Sequence, residues 1–373
     1  MLAAPGLKWH VDPPDVIPMF IAAPDFPVAP EIKAALAKAV EDEDVFYNTD
    51  DIAREAMAEK IRRVNGIRAG AGDVMVIQGV DPSLWLAVRQ VCSAGDEVIL
   101  TDPMYGPFRG VLETSEAKAV IWGLDEEDGY RFDEERLKSL ITPRTKLIDV
   151  CNPHNPTGRA MTKQELRAIA DLAVDRKIRI ISDELWEDIV FDGRKNVSIA
   201  SLSPEVSDLT LTSWGFSKTF GIAGLQLGYM CTTDKAALAE MKRQSAGIQR
   251  GSSTLARAIA PVMLDKTLDW WRRDMMAHLT RMRDLCAKRL NAMPGVSFPK
   301  LEATYVPFPR FDVGMKSREL TDYLLKEGKV GLSAGVSFGP NGEWHQRMCI
   351  ATSEAIMAEA LDRIEGAVAK LTR

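Results

Sequence analysis

The fold is decided by three consecutive pieces of sequence: KLIDVCNPHNPTG (146–158), TKQELRAIADLAVDRK (162–177) and IRIISDE (178–184). The first and the last begin with short runs of aliphatic and β-branched residues, a pattern typical of buried strands. The middle piece carries its apolar residues at helical spacing. A strand, a helix and a second strand in this order predict a βαβ unit whose two strands are parallel.

The same alternation extends outward on both sides of this unit. Further strand patterns are VMVIQ (74–78), EVILTDP (97–103), KAVIW (118–122), LTLTSW (209–214) and LQLGYM (225–230). They predict an α/β fold with a mostly parallel sheet between helices. After residue 255 a long helical pattern with a break near Pro261 gives way to a mixed tail. We therefore expect a large α/β domain over 41–290 and a smaller α+β domain formed by 1–40 and 291–373.

The composition excludes several classes of protein. The 373 residues are 46% hydrophobic and 27% charged, which is ordinary for a globular protein with a large core. A net charge of −6 argues against a nucleic-acid-binding surface, which would be basic. Since no apolar run reaches about 18 residues, no membrane-spanning helix is expected. The first residues do not have the pattern of a secretion signal.

The cysteines indicate the compartment. There are five, an odd number, and no pair has CxxC spacing. This pattern favours free thiols in a reducing environment over disulfides or a metal site. We therefore expect a cytoplasmic protein with no metal, nucleic-acid or membrane partner.

Three strand ends carry the residues that suggest a chemistry. Parallel α/β sheets bind ligands at the carboxyl ends of their strands, and there the chain has Asn155, Asp183 and Lys218. An amide, a carboxylate and an amine in one crevice suit pyridoxal 5'-phosphate. A lysine forms a Schiff base with its aldehyde, and an acidic group keeps its pyridine nitrogen protonated. The amide of Asn155 could donate to the phenolate oxygen of the ring.

The blocks NPHNPTG (152–158), SDELW (182–186) and SWGFSKTFGIAGLQLGY (213–229) resemble the signatures of fold-type I pyridoxal-phosphate enzymes in the class I/II aminotransferase superfamily. The resemblance runs in order from Pro18 to the last helix. It implies Lys218 as the Schiff-base lysine and Arg347 as the residue that binds the substrate α-carboxylate.

The resemblance also implies the remaining residues of the site. Tyr105 would stack on the cofactor ring, and Ala22 and Asn155 would contact the substrate. Tyr47 would reach the phosphate in a neighbouring subunit, which implies a homodimer with shared sites, and the loop 247–253 with Arg250 is a second candidate to cross. The other cofactor contacts implied are Val80, Asp81, Trp186, Ser217 and Gln226.

The expected phosphate pocket departs from the family pattern. Asp81 stands where the family usually has Ser or Thr, Gly215 where it has Ser, and Gln226 where it has Arg. Asp81 directly precedes Pro82, so we expect it to cap the following helix. The phosphate would then depend on backbone amides and hydroxyl groups, and we expect it to be bound more loosely. Trp186 stands where aminotransferases usually have Tyr.

The predicted function is the first of three that stay open. It is an aminotransferase that moves an amino group between an L-amino acid and a 2-oxo acid, because SKTFGIAGLQLGY (217–229) and CIATSEAIMAEALDRI (349–364) resemble ordinary aminotransferases. The second is a C–S β-lyase that releases pyruvate, ammonia and a thiol, because IPMFIAAPDFPVAPEI (17–32), His154, Pro82 and the missing Arg at Gln226 resemble the cystathionine β-lyase-like branch. The third is a non-catalytic regulator that binds the cofactor. Aromatic residues expected near the pocket suit an apolar or aromatic substrate side chain; they are Trp9, His10, Phe20, Tyr47, His154 and Trp186.

Overall fold

The structure, a computed structural model, describes residues 6–247 and 251–371. Its centre is a seven-stranded sheet. The strands of this sheet are β2 (Val74–Gln78), β3 (Glu97–Asp102), β4 (Lys118–Gly123), β5 (Thr145–Cys151), β6 (Arg179–Asp183), β7 (Thr210–Gly215) and β8 (Leu227–Cys231). The strand patterns in the sequence therefore predicted all seven strands of the sheet to within about two residues at each end.

The spatial order of the strands is β2-β8-β7-β6-β5-β3-β4. β8 runs antiparallel to both of its neighbours, and the other pairs are parallel. The β5–β6 pair is the predicted βαβ unit, with Cys151 opposite Asp183 at its carboxyl end. The prediction of a mostly parallel α/β sheet is confirmed.

Helices follow most strands. Their bounds are α1 (Pro30–Glu41), α2 (Asp51–Lys60), α3 (Pro82–Val91), α4 (Gly106–Glu113), α5 (Glu134–Leu140), α6 (Lys163–Arg176), α7 (Pro204–Leu209), α8 (Ser217–Phe220), α9 (Lys235–Ser245), α10 (Thr254–Ala258), α11 (Ala260–Leu264), α12 (Asp269–Leu290), α13 (Ser317–Tyr323) and α14 (Glu354–Leu371). The long helical pattern after 255 is thus interrupted near Pro261, as predicted, and again at 265–268.

The helix of the βαβ unit begins where its sequence allows it to. Thr162 Oγ1 accepts from the backbone N–H of Glu165 at 3.1 Å, and Glu165 Oε2 accepts from the N–H of Thr162 at 2.7 Å. This reciprocal capping box satisfies two of the N–H groups that a helix start leaves free. It fixes the start of α6 and, through α6, the return of the chain to the sheet.

The sheet has an apolar core on each face. On one face it packs against α3 and α9, with residues such as Ile77, Leu84, Leu238 and Met241. On the other it packs against α5 and α6, with residues such as Leu137, Ile148, Val150 and Leu166. Each fully buried aliphatic side chain of this kind contributes about 1.5–3 kcal/mol. Because helices cover both faces of the sheet, the ends of its strands are the part that remains accessible to a ligand.

A further core joins the two ends of the chain. Short strands lie outside the main sheet: β1 (Ile17–Pro18), β9 (Val296–Ser297), β10 (Arg310–Phe311), β11 (Val330–Gly331), β12 (Ser333–Ala334) and β13 (Gln346–Arg347). β1 pairs in parallel with β11. Met19 packs in one cluster with Leu279 of α12 and Leu361 of α14. The domain boundaries at residues 40 and 290 stay a prediction. They place α12 in the large domain, although α12 also contributes to this cluster.

Two further observations concern the whole of the described chain. No helix within it is long and apolar enough to cross a membrane. All five cysteines are free thiols, and four of them are buried.

Candidate functional site

One cavity of about 310 Å³ lies at the carboxyl edge of the sheet. Strand ends β5, β6 and β7 supply one wall, and the segment 20–22 with Arg347 of β13 supplies another. The predicted residues that line it are Ala22, Val80, Asp81, Tyr105, Asn155, Asp183, Trp186, Ser217, Lys218, Gln226 and Arg347. The topology thus brings together residues that are up to 325 positions apart in the chain.

Lys218 reaches this cavity from α8, which begins just after β7 ends. Its Nζ donates to the carbonyl of Ala22 at 2.9 Å and lies 5.8 Å from the ring centroid of Trp186. Burial, assisted by the positive charge of Arg347, lowers the pKa of Lys218 to about 8. A usable fraction of this amine is therefore neutral near neutral pH, as a nucleophile or a base requires.

Asp183 ends β6 and is buried. Its Oδ1 accepts from the backbone N–H of Leu185 at 3.0 Å. Burial raises the pKa of Asp183 to about 6, and the carboxylate of Asp81 acts in the same direction. The group is still mostly ionised at neutral pH, so it can pair with a cation in the cavity.

Arg347 is a buried cation with free hydrogen-bonding capacity. Its Nη2 donates to the carbonyl of Phe20 at 2.9 Å, its Nη1 to Asn155 Oδ1 at 3.4 Å, and its Cζ lies 4.6 Å from the Phe338 ring centroid. Its Nε has no partner among the described residues. Burial lowers the pKa of Arg347 to about 10, so the guanidinium stays charged and suits a planar carboxylate.

Two aromatic side chains complete the middle of the cavity. Tyr105 precedes α4 and meets the Phe108 ring edge-on at 5.6 Å, and burial raises its pKa to about 12. Its phenol is therefore neutral. Trp186 is buried and meets the ring of Tyr305 edge-on at 4.7 Å. An indole in the place of a phenol leaves no oxygen at this position.

The turn between β2 and α3 forms one end of the cavity. Gly79 has φ of +74°, which glycine tolerates, and its N–H donates to the carbonyl of Gln226 at 3.1 Å. The predicted N-cap role of Asp81 is wrong. Its side chain accepts no hydrogen bond from the first turn of α3, and its φ and ψ of −52° and −37° are already helical, whereas a capping residue is extended.

Gly215 and Gln226 are the other two residues that depart from the family pattern, and the structure shows what surrounds each of them. A Cβ on Gly215 would lie 2.7 Å from Val80 Cγ2 and 2.9 Å from Leu185 Cδ1, so those side chains fill the space of the usual serine. Gln226 Nε2 donates to the carbonyl of Ala223 at 2.8 Å. Among the described lining residues, Lys218 is the one cation besides the arginine of β13.

Tyr47 does not join this cavity within one chain. Its side chain is 100% exposed, and it lies among the exposed Val45, Phe46 and Ile52. Arg250, the other candidate to cross between subunits, lies outside the described residues. Of the aromatic residues expected near the pocket, Phe20 and Trp186 line it, whereas Trp9, His10 and His154 do not.

Sequence reasoning missed Tyr305. Its hydroxyl donates to the carbonyl of Ala22 at 3.3 Å, the same oxygen that accepts from Lys218 Nζ. Tyr305 thereby holds the segment 20–22 over the cavity. No motif surrounds it in TYVPFPRF (304–311), and the contact becomes visible only when the two ends of the chain meet.

An amine, an ionised carboxylate, an amide, an aromatic ring and a guanidinium at one cavity fit pyridoxal phosphate and an amino acid. Fold and site together define a pyridoxal-phosphate-dependent enzyme of fold type I. The chain belongs to the family Aminotransferase class I and II, whose profile matches residues 14–364, and it is a pyridoxal-phosphate-dependent aminotransferase.

Three relatives illustrate this membership. Aromatic-amino-acid aminotransferase 2 of Thermococcus litoralis is 32% identical over 94% of this chain and 91% of its own length. Cystathionine beta-lyase PatB of Bacillus subtilis is 29% identical over 95% of this chain and 93% of its own. A pyridoxal-phosphate-bound structure from Clostridium difficile 630 is 30% identical and superimposes with a TM-score of 0.91 over 97% of this chain and 96% of its own.

Proposed function

We propose that Lys218 is the residue to which the cofactor aldehyde is attached, that Asp183 pairs with the pyridine nitrogen, and that Arg347 binds the substrate α-carboxylate. The observation that carries this proposal is the meeting of these three side chains at one 310 Å³ cavity. Asn155 is assigned to the phenolate oxygen and Tyr105 to the face of the ring.

The roles of the side chains follow from their charge states. When bound, pyridoxal phosphate withdraws electrons from the α-carbon of the amino acid. Arg347 orients the substrate through its carboxylate, so that the α-proton faces Lys218. Lys218, with its pKa lowered to about 8 by burial, accepts that proton and returns it. The ionised Asp183 keeps the pyridine nitrogen protonated.

The substrates are an L-amino acid with an apolar or aromatic side chain and a 2-oxo acid acceptor. The support is the lining of the cavity, which includes Phe20, Ile21, Leu185 and Trp186. A second carboxylate on the substrate would need a further cation, and the described lining offers none beyond the lysine and arginine already assigned.

The decisive experiment measures 2-oxo acid formation from a panel of amino acids. We expect phenylalanine and leucine to react faster than aspartate. Replacement of Lys218 by Ala should abolish turnover, and the exposed Lys163→Ala serves as the matched control. After borohydride reduction of the cofactor-loaded protein, the labelled peptide should contain Lys218. Labelling of another lysine would overturn the assignment.

β-Elimination is the second candidate, because the Bacillus subtilis relative is a cystathionine beta-lyase. The same assay separates the two reactions. A lyase would release pyruvate and a thiol from cystathionine without consuming an added 2-oxo acid. An aminotransferase consumes the 2-oxo acid.

The assembly and the location are part of the proposal. A homodimer is supported by the exposed apolar group Val45, Phe46, Tyr47 and Ile52, which a second subunit would cover. Sedimentation of the wild type against Phe46→Asp tests it, since a dimer should dissociate in the variant. Five free cysteines support a reducing cytoplasm.

A further inference from the structure

The turn between β2 and α3 leaves the cavity acidic at one end. Asp81 lines the wall there, and the next residue, Pro82, has no N–H to donate. Gly215 offers no side chain, and Gln226 Nε2 already donates to a backbone carbonyl. Besides Ser217, side-chain donors for an anion are therefore scarce at this end, and the carboxylate of Asp81 would repel an anion.

The protonation of Asp81 decides between repulsion and binding. An ionised carboxylate accepts hydrogen bonds only, whereas a protonated carboxyl donates one. Although Asp81 is exposed to solvent within one chain, the partial burial of its carboxyl group at the cavity wall raises its pKa, and the positive charge of Lys218 opposes this shift. A phosphate brought beside Asp81 would add negative charge and favour the protonated carboxyl further.

We propose that Asp81 binds the cofactor phosphate as a neutral carboxyl, donating its O–H to a phosphate oxygen. This inference rests on the proposed function and on the phosphate pocket that the resemblance implies at Asp81, Gly215 and Gln226. Binding then takes up one proton at every pH where the unbound Asp81 and the unbound phosphate are both fully ionised. Cofactor affinity should therefore fall as the pH rises.

Other groups face Asp81 from the elements packed around it. Lys218 on α8 is a cation that becomes neutral with rising pH, Asp183 at the end of β6 is an anion, and Tyr105 before α4 stays neutral. The same side chains are present in a variant at residue 81, but the Asp81 carboxylate raises the pKa of each of them, so they titrate at slightly lower pH in Asp81→Asn. The effect of Asp81 on the phosphate is therefore the difference between the pH dependences of the wild type and Asp81→Asn that a ligand without phosphate does not show.

The test uses apoprotein and pyridoxamine 5'-phosphate, which lacks the aldehyde and does not attach to Lys218. The dissociation constant is measured by calorimetry from pH 6.5 to 8.5. For one shared proton, the affinity of the wild type should fall up to about tenfold per pH unit more steeply than that of Asp81→Asn. The variant, which keeps a donor, should bind at least about tenfold more tightly at pH 8.5.

Two controls locate the effect. Pyridoxamine without phosphate should show only the small difference in slope that the altered pKa values of the neighbouring groups cause, and the exposed Asp175→Asn should behave as the wild type. Asp81→Ser also places a hydrogen-bond donor at residue 81, so its affinity for the cofactor should depend on pH in the same way as that of Asp81→Asn. Equal slopes in the wild type and both variants would overturn the inference, as would a uniformly weaker Asp81→Asn. Absence of binding in every protein would instead refute the proposed function.

Discussion

Gly215→Ser, which restores the residue usual in the family, should destabilise this protein. Gly215 ends β7, three residues before Lys218. A Cβ there would lie 2.7 Å from Val80 Cγ2 and 2.9 Å from Leu185 Cδ1, distances below any ordinary carbon contact. One neighbour is a β-branched side chain, which has little rotamer freedom to move away. The added atoms must therefore displace side chains or backbone.

The size of this effect follows from overpacking. Inserting atoms into a filled core costs about 1–3 kcal/mol, so the free energy of unfolding of Gly215→Ser should fall by that amount. Val80→Ala removes the closer of the two clashing groups. In the Val80→Ala background the same serine should therefore cost less, and the double-mutant coupling should be on the order of 1 kcal/mol.

Urea unfolding of the apoproteins measures these values. Gly224→Ala is the matched control, because nothing lies within 4 Å of its added Cβ. It should change the free energy of unfolding by less than about 0.5 kcal/mol. If Gly215→Ser is as stable as the wild type, or if the two substitutions are additive, the steric explanation of the missing serine is wrong.

Three further predictions follow from the site. Arg347→Lys keeps the positive charge but loses the planar guanidinium group. The KM for amino acids should rise by the equivalent of about 1.5–3 kcal/mol of binding free energy, while the KM for amines without a carboxylate should not change. Asp81→Ser with Gln226→Arg should tighten pyridoxal phosphate by at least ~1 kcal/mol in a titration of apoprotein near neutral pH, since residue 81 then needs no proton before it can donate and a cation is added. Asp149 is buried, its Oδ1 has no partner among the described residues, and burial raises its pKa well above the ordinary value. Asp149 therefore stabilises the fold fully below about pH 4, and this stabilisation is lost as the pH rises toward the pKa of Asp149 in the folded protein. Between pH 5 and 8 the free energy of unfolding in urea should therefore fall less in Asp149→Asn than in the wild type.

Local patterns predicted the sheet because each buried strand is a continuous apolar run bounded by turn residues. Asn155, Asp183 and Lys218 followed from the rule that ligands bind at strand ends. Arg347 and Tyr105 needed the resemblance, because neither stands in a pattern of its own. Tyr305 escaped because its partner Ala22 lies near the other end of the chain.

The error at Asp81 has a different origin. Asp before Pro is a favourable helix start by local preference, but capping also requires an extended backbone. The turn after Gly79 is tied to the carbonyl of Gln226, and Asp81 has helical dihedral angles. The packing of Val80 against Gly215 was equally invisible, because 135 residues separate the pair. At Asp81 tertiary contacts overrode the local preference, and at Gly215 they decide which side chain the site accepts.

The two ends of the cavity tolerate change to different degrees because their chemistry differs. At the ring end each role needs one kind of group: a primary amine that forms the Schiff base and gains and loses a proton, and an anion beside the pyridine nitrogen. In the proposed function Lys218 and Asp183 supply these two groups. A phosphate needs only enough donors and a tolerable charge, which backbone amides, a hydroxyl, a neutral carboxyl or a second subunit can supply. The phosphate end can therefore lose a serine and an arginine while the reaction is kept, and the expected cost is cofactor affinity and its pH dependence.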